Sequence, residues 1–461
     1  MARQRHGVLF GDVFGTETMR EIFGESSFVE TFLDVEAALA RAEAEAGVVP
    51  EWAAEEITAG ASLEHVEMER IEAFVDEIGL FSMSILEAWK ERLGEAGEYV
   101  HWGASTQDIS DTVVVLQLRE AIEAIGDVLL AIRDRLGELA VEHRETPMVG
   151  RTQYASGPPI TLGFKFATWL DEIERHLIRL RQLEERLYVV QFAGASGTLA
   201  AVGDDGIEIL ERFAAELDLR PPTIGWTATR DRFAETLNLF ATIAATLGRI
   251  ARQILLLNRE EIGELIETVP DGELGSSTNP HKFNPVYSQH TVGLSRLVRG
   301  NADVMGELLE PYDERDRSTW YVEFVIVPES AEFLYRALVN TRANLVGLRI
   351  ETAALERNIH RSGPSIASEA VMMALAEELG RQTAHRIVHE IARAAHDDDV
   401  SFTDELLADS RVRNHLEEAE IRSLTDPLEY TGLAITFVDR VLQQSGYTDE
   451  SGESGSGPAL K

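Results

Sequence analysis

Cysteine is absent from the 461 residues, which removes disulfides, thiolate nucleophiles, cysteine-held zinc and iron–sulfur clusters together. A reducing compartment is compatible with that lack. Lysine is nearly as scarce, with Lys90, Lys165, Lys282 and Lys461 as its only occurrences. Set against 80 acidic residues, the 42 basic ones leave a formal charge of -38. That balance opposes contact with phosphate backbones and anionic lipid, so neither nucleic acid nor a membrane is an expected partner. It resembles the balance of proteins from a high-salt cytoplasm, where screening weakens the self-repulsion of an acidic surface. There is no run of about 18 apolar residues, and the stretch from Met1 to Phe10 lacks the apolar core of a signal peptide. A soluble, cytoplasmic protein is expected, and in so acidic a chain each cation inside a motif carries extra information.

What the chain does have is helical periodicity. From Phe28 to Ala46 apolar and alanine positions recur at helical spacing, Gly47 offers a stop and Pro50 opens the next stretch. Leu118, Ile122, Ile125, Leu129, Ile132, Leu136 and Leu139 alternate steps of four and three, which makes one apolar seam that needs partner helices. A second run from Thr161 to about Leu187 carries Trp169, Ile173, Leu177 and Leu180 on one side. A third seam, Phe240, Ile243, Leu247, Ile250, Ile254 and Leu257, is followed by a helix from Val286 to Leu309. Such seams, nearly free of strand-like alternation, predict a helical bundle. Beyond about Glu351 the pattern shortens, with Ser365 to Leu379 ending at Gly380 and Arg381 to Ala395 ending in Asp397 to Asp399.

At roughly 150 residues per domain the length suits about three domains. The expected fold is all-α, with an N-terminal helical domain over 1–110, a central long-helix bundle over 111–355 and a C-terminal helical domain over 356–443. The Gly/Ser-rich tail, 444–461, has too little apolar surface to offset its ordering entropy and is expected to be disordered.

Polar interruptions fall at helix ends over 101–112, 150–159, 192–198 and 272–285. In the last, Gly272 and Gly275 free the backbone while Pro280 and Pro285 forbid a continuous helix. The hydroxyls of Ser276 and Ser277, the ammonium of Lys282, the amide of Asn284 and nearby backbone N–H groups together suit an anion such as a carboxylate. A solvated connector has the same composition. His385 and His389 are four apart, but no glutamate follows His385 as a metalloprotease motif requires, so no metal is expected. Gly194-Ala-Ser-Gly197 lacks the spacing of a dinucleotide fingerprint and no Walker loop is present, so no cofactor is expected either.

Gly275-Ser-Ser-Thr-Asn-Pro-His-Lys-Phe-Asn-Pro285 resembles the G-S-S-x-M-P-x-K-x-N-P signature of the fumarase/aspartase superfamily. His101-x-Gly-x-Ser-Thr-Gln-Asp-x-x-Asp-Thr112 is similar to its first conserved region, and Gly150-Arg-Thr152 with Pro159, Thr161 and Gly163 to its G-R-T-H segment. Gly194-Ala-x-Gly-Thr198, Trp226, Arg230-Asp231, Glu314-Arg-Asp316 and Trp320 look like further landmarks in the same order. The resemblance points to the branch of adenylosuccinate lyase and 3-carboxy-cis,cis-muconate cycloisomerase. It implies a homotetramer with active sites shared between subunits, acting on a small anionic carboxylate. In such a site Ser277, with Ser276 as fallback, removes a proton beside a carboxylate, and Lys282, Asn284 and loop N–H groups stabilise the aci-carboxylate. The resemblance also implies a catalytic role for His101 and substrate binding by Ser105, Thr106, Gln107, Thr152, Gln153, Arg230 and Arg315.

There are departures too. Gln153 stands where the family carries its general-acid histidine, the H-D-V segment of adenylosuccinate lyases is missing, and Gly79-Leu-Phe-Ser-Met-Ser-Ile85 looks more like the cycloisomerase. The implied activity is therefore either fumarate-releasing elimination on a succinyl-type substrate or lactone-forming or lactone-opening cycloisomerisation. A catalytically silent helical scaffold is the non-enzymatic alternative.

Overall fold

The computed structural model describes residues 7–268, 278–279 and 281–447. Gly272, Gly275, Ser276 and Ser277, and the tail from 448 onward, lie outside the described residues. Long helices dominate: α1 (Glu25–Glu45), α2 (Thr106–Glu142), α3 (Leu162–Leu187), α4 (Asp231–Leu257), α5 (Val286–Glu307) and α6 (Arg317–Gly347). The protein is all-α, as its periodicity predicts. The α2 seam from Leu118 to Leu139 is buried throughout, with no member more than 3% exposed. At roughly 1.5–3 kcal/mol per buried Leu or Ile side chain, such burial outweighs any propensity term along the helix. By length and composition α4 is apolar enough to cross a membrane, yet 56% of its most apolar window is buried in the protein, as in a core helix.

The chain divides into two compact units, each built from separated stretches. The first comprises Met1–Leu129, His176–Arg249 and His290–Asn340. Its core holds Phe32, Leu33, Trp89, Trp226, Phe233 and Phe240, all buried. Trp89 donates to the carbonyl of Gly60 at 2.9 Å and the Trp226 indole to that of Val190 at 2.9 Å, so both rings are buried without an orphaned N–H. A reciprocal capping box opens α2: the Ser105 amide donates to Asp108 Oδ2 at 2.8 Å, and the Asp108 amide donates to Ser105 Oγ at 3.3 Å.

The second unit comprises Leu130–Arg175, Ile250–Gln289 and Thr341–Lys461. Among its elements are the C-terminal helices Ser368–Leu379 and Arg381–Asp397, whose Val371, Leu375, Ile387 and Ile391 form one apolar cluster. It also contains an antiparallel hairpin, β1 (Pro147–Thr152) and β2 (Ala155–Thr161), where the sequence suggested only a break between helices. Period-two alternation is hard to see there because a bulge between Val149 and Gly150 interrupts the register. A Cβ on Gly150 would lie 2.2 Å from the Pro158 carbonyl oxygen, so only glycine fits at that bulge.

Candidate active site

In the first unit the capping box places a set of polar side chains around the start of α2. Gln107, buried on the first turn, donates from Nε2 to the Thr227 carbonyl at 3.0 Å and to Asp111 Oδ2 at 3.2 Å. Its Oε1 accepts from Arg315 Nε at 3.1 Å, while Arg315 Nη2 donates to Thr106 Oγ1 at 3.1 Å. Arg315 is half-buried and has no carboxylate partner among the described residues. In a chain of formal charge -38 a guanidinium left without an acid is a natural seat for an anion, and the opening of a long helix adds its dipole.

Arg230 has a different setting. Its Nη1 and Nη2 donate to Asp111 at 2.7 and 2.9 Å, and its Nε donates to Glu323 at 2.8 Å. With side chains 1% exposed for Arg230 and Asp111 and 4% for Glu323, this is an interior ion cluster. Burial lowers the guanidinium pKa, but Asp111 and Glu323 more than offset it and hold the group above its ordinary value. Arg230 is among the residues expected to bind substrate; here its guanidinium is engaged by two carboxylates, and through Asp111 it is linked to Gln107. Trp320, a further landmark, donates from Nε1 to Asp111 Oδ1 at 3.2 Å.

His101 precedes α2 in a left-handed conformation, φ 62°, followed by Gly103 at φ 69°. A Cβ at Gly103 would meet Val202 at 2.5 Å, and Gly194, also left-handed, presents its N–H to Asp108 Oδ2 at 2.9 Å. Gly103 thus lets Val202 pack against the 101–105 turn, and Gly194 lets the 192–198 segment approach it, its would-be Cβ lying 3.2 Å from the Gly103 carbonyl oxygen. The His101 Nδ1 lies 2.6 Å from Glu36 Oε1 on α1. Burial opposes the imidazolium, but Glu36 and then Asp108 favour it, and the net pKa lies above the ordinary histidine value. Asp108 is pushed up to about 6 by burial despite the N–H groups of Ser105 and Gly194, and its Oδ1 has no hydrogen-bond partner among the described residues.

The second unit carries the remaining expected residues. Thr152 and Gln153 lie exposed at the hairpin tip, where Gln153 and Tyr154 take φ values of 52° and 63°. Positive φ at both central positions is the two-residue turn that asparagine and glycine normally supply. Below the tip, Arg151 Nη1 donates to the wholly buried Glu264 at 2.8 Å, and Asn358 donates to the same carboxylate at 2.7 Å. Lys282 is exposed with no ion-pair partner among the described residues, and Asn284 is half-buried. Glu267 caps the start of α5, accepting from the N–H groups of Tyr287 at 2.6 Å and Ser288 at 3.0 Å. Burial raises its pKa in spite of those bonds and two more, from the Ser288 hydroxyl and Asn344.

Of the carboxylates that organise these groups, Asp111 was read from sequence only as a motif position, and Glu36, Glu264, Glu267 and Glu323 were not singled out. For Glu36 a signal existed. Val29, Phe32, Leu33, Glu36, Ala40 and Glu43 fall on one stripe of α1, so both acids sit where apolar residues belong.

The start of α2 thus brings together an arginine without a carboxylate partner among the described residues and a histidine backed by a carboxylate, and comparison with known proteins gives the class of protein as a lyase. A family model described as a lyase matches residues 14–300, and one for the adenylosuccinate lyase C-terminus matches residues 364–441. The N-acetyl-S-(2-succino)cysteine lyase of Enterococcus italicus is 36% identical over 446 residues, covering 96% of this chain and 98% of its own. The adenylosuccinate lyase of Methanocaldococcus jannaschii is 38% identical over 434 residues, covering 93% of this chain and 94% of its own. Among solved structures, a 3-carboxy-cis,cis-muconate lactonizing enzyme from Pseudomonas putida superposes with a TM-score of 0.86 at 34% identity, over 95% of this chain and 99% of that one. The chain belongs to the fumarase/aspartase superfamily.

Proposed function

We propose that the protein catalyses β-elimination on a succinyl-type substrate and releases fumarate. The observation that carries this reading is Arg315, half-buried, bonded to Thr106 and Gln107, near enough to act on the charge of His101, and without a carboxylate partner among the described residues. Ser277 takes the proton from the carbon next to a carboxylate, and the charge that gathers on that carboxylate is stabilised by Lys282, Asn284 and loop N–H groups. The bond from the adjacent carbon to nitrogen, sulfur or oxygen then breaks, the electron pair leaves with the heteroatom, and that atom is protonated. Thr106 and Arg315 hold a carboxylate of the substrate, with Gln107 positioned by Asp111 and Arg230, and Thr152 and Gln153 contribute from the hairpin tip. Gln153 has no proton of useful acidity, and this favours a second reading, the cycloisomerase reaction, in which a carboxylate and a double bond of one molecule join or part.

The working assembly in this proposal is a cytoplasmic homotetramer with active sites shared between subunits, built on the division 1–110, 111–355 and 356–443. Its support is an outward face on α5, where Gly293, Leu297, Gly300 and Val304 recur at steps of four and three and are all exposed. The deciding experiment is fumarate release from S-succinyl and N-succinyl compounds, including N-acetyl-S-(2-succino)cysteine and adenylosuccinate, beside lactonisation of 3-carboxymuconate. Wild-type turnover of one of these, reduced by about 10²-fold or more in Ser277→Ala, is the expected result. Fumarate release by none of them overturns the elimination reading.

A further inference from the structure

Helix α1 carries two acids inside the first unit. Glu36 and Glu43 are each 1% exposed, and an unpaired buried carboxylate costs several kcal/mol, so each needs a resolution. The Glu36 Oε1 has one in His101 Nδ1, 2.6 Å away. Its Oε2 and both oxygens of Glu43 have no hydrogen-bond partner among the described residues. Burial and then the charge of Glu36 push the Glu43 carboxyl up to about 9, so near neutrality Glu43 is uncharged.

The pairing settles the tautomer of His101. With Nδ1 donating to a carboxylate, the ring's other nitrogen, Nε2, is the one left for chemistry, and it makes no hydrogen bond among the described residues. The charged groups acting on the ring are Glu36 from α1, Asp108 from the first turn of α2 and Arg315 just before α6. The two acids favour the imidazolium, while Arg315 and burial oppose it. The histidine therefore belongs to the cluster that holds the anion seat.

We propose that Glu36 is a positioning residue that holds His101 as an Nδ1–H donor with Nε2 free for substrate, and that His101 is thereby the proton donor to the leaving atom. This rests on the elimination reading given above and fills the task that Gln153 leaves vacant. As the bond to the leaving atom breaks, that atom keeps the electron pair and takes the Nε2 proton. His101 becomes neutral, still donating Nδ1–H to Glu36, and regains a proton from water before the next turnover. A pair that only anchored the 101–105 turn would have no effect on the pH profile.

The test compares wild type with Glu36→Gln, Glu36→Asp and His101→Asn, on protein carrying isotope-labelled histidine. The His101 resonance is assigned by its loss in His101→Asn, and its titration needs no substrate. In wild type it should titrate above the ordinary value of about 6.5, and Glu36→Gln should lower it by about one unit or more, with Glu36→Asp close to wild type. On a substrate that releases fumarate, Glu36→Gln should lower kcat about 10-fold or more with KM little changed, and move the alkaline limb of the profile to lower pH. An unchanged His101 titration in Glu36→Gln overturns the pairing. A shifted titration with an unshifted limb overturns His101 as donor, while continued fumarate release leaves the elimination reading standing.

Discussion

Two arginines described above carry the same charge and face opposite circumstances, and mutation separates them. Arg230→Ala strands Asp111 and Glu323 in the interior and is expected to cost about 3–5 kcal/mol of stability, read by urea denaturation. Arg315→Ala removes a half-buried group held by two neutral partners; it should change stability by less than about 1 kcal/mol yet weaken substrate binding, seen as a raised KM. Glu43 supplies a pH test. Its folded pKa, about 9, exceeds its ordinary value, so its contribution to stability is complete below about pH 4.5 and is lost progressively as the pH rises toward 9. Glu43→Gln, which cannot ionise, should match wild type near pH 5 and exceed it at pH 8, by a few kcal/mol at most. A melting-temperature difference that is independent of pH would contradict this. At this scale the sequence pointed to His101, Thr106, Gln107 and Arg315 through their motif. Asp111 was visible only as a position of that motif and Glu36 only as an acid on an apolar stripe, while Glu323 was concealed, because a buried carboxylate outside any motif is recognised only by the distant cation it meets.

Elements were easier to read where one period ran long. The helices α2, α3, α4 and α5 agree with the seams from which they were expected, because each seam has enough apolar residues to outvote its neighbours. The hairpin was not legible. Its strands are short, bulged at Gly150 and joined through Gln153 and Tyr154, which carry none of the usual turn chemistry. Gly150→Ala tests the bulge directly. With a carbonyl oxygen 2.2 Å from the new methyl, the strands must part, at a cost of about 1–3 kcal/mol. Activity should fall further than stability does, since Thr152 and Gln153 would no longer be held at the tip; near-normal kcat in a correctly folded variant would remove the hairpin from the site.

At the scale of the molecule the informative residues are apolar ones left outside. Leu297 and Val304 on α5 are each 42% exposed, in register with Gly293 and Gly300, a spacing that suits close approach of another helix. Leu297→Glu is expected to reduce the light-scattering mass to that of smaller species and abolish turnover while the circular dichroism stays helical. Low salt should act similarly on the wild type. Repulsion from -38 charges per subunit reaches across about 30 Å at 0.01 M salt but only about 3 Å at 1 M.

The ion cluster around Arg230 is exempt from that screening, because counter-ions do not enter a site 1% exposed. Two of the six tryptophans lie against it: the Trp226 ring is 5.2 Å from the Arg230 guanidinium carbon, and Trp320 hydrogen-bonds Asp111. The protein thus contains its own optical gauge of the interior. During a salt titration the emission of these indoles should hold its wavelength while scattering and activity fall, and shift to the red only when the subunit itself opens.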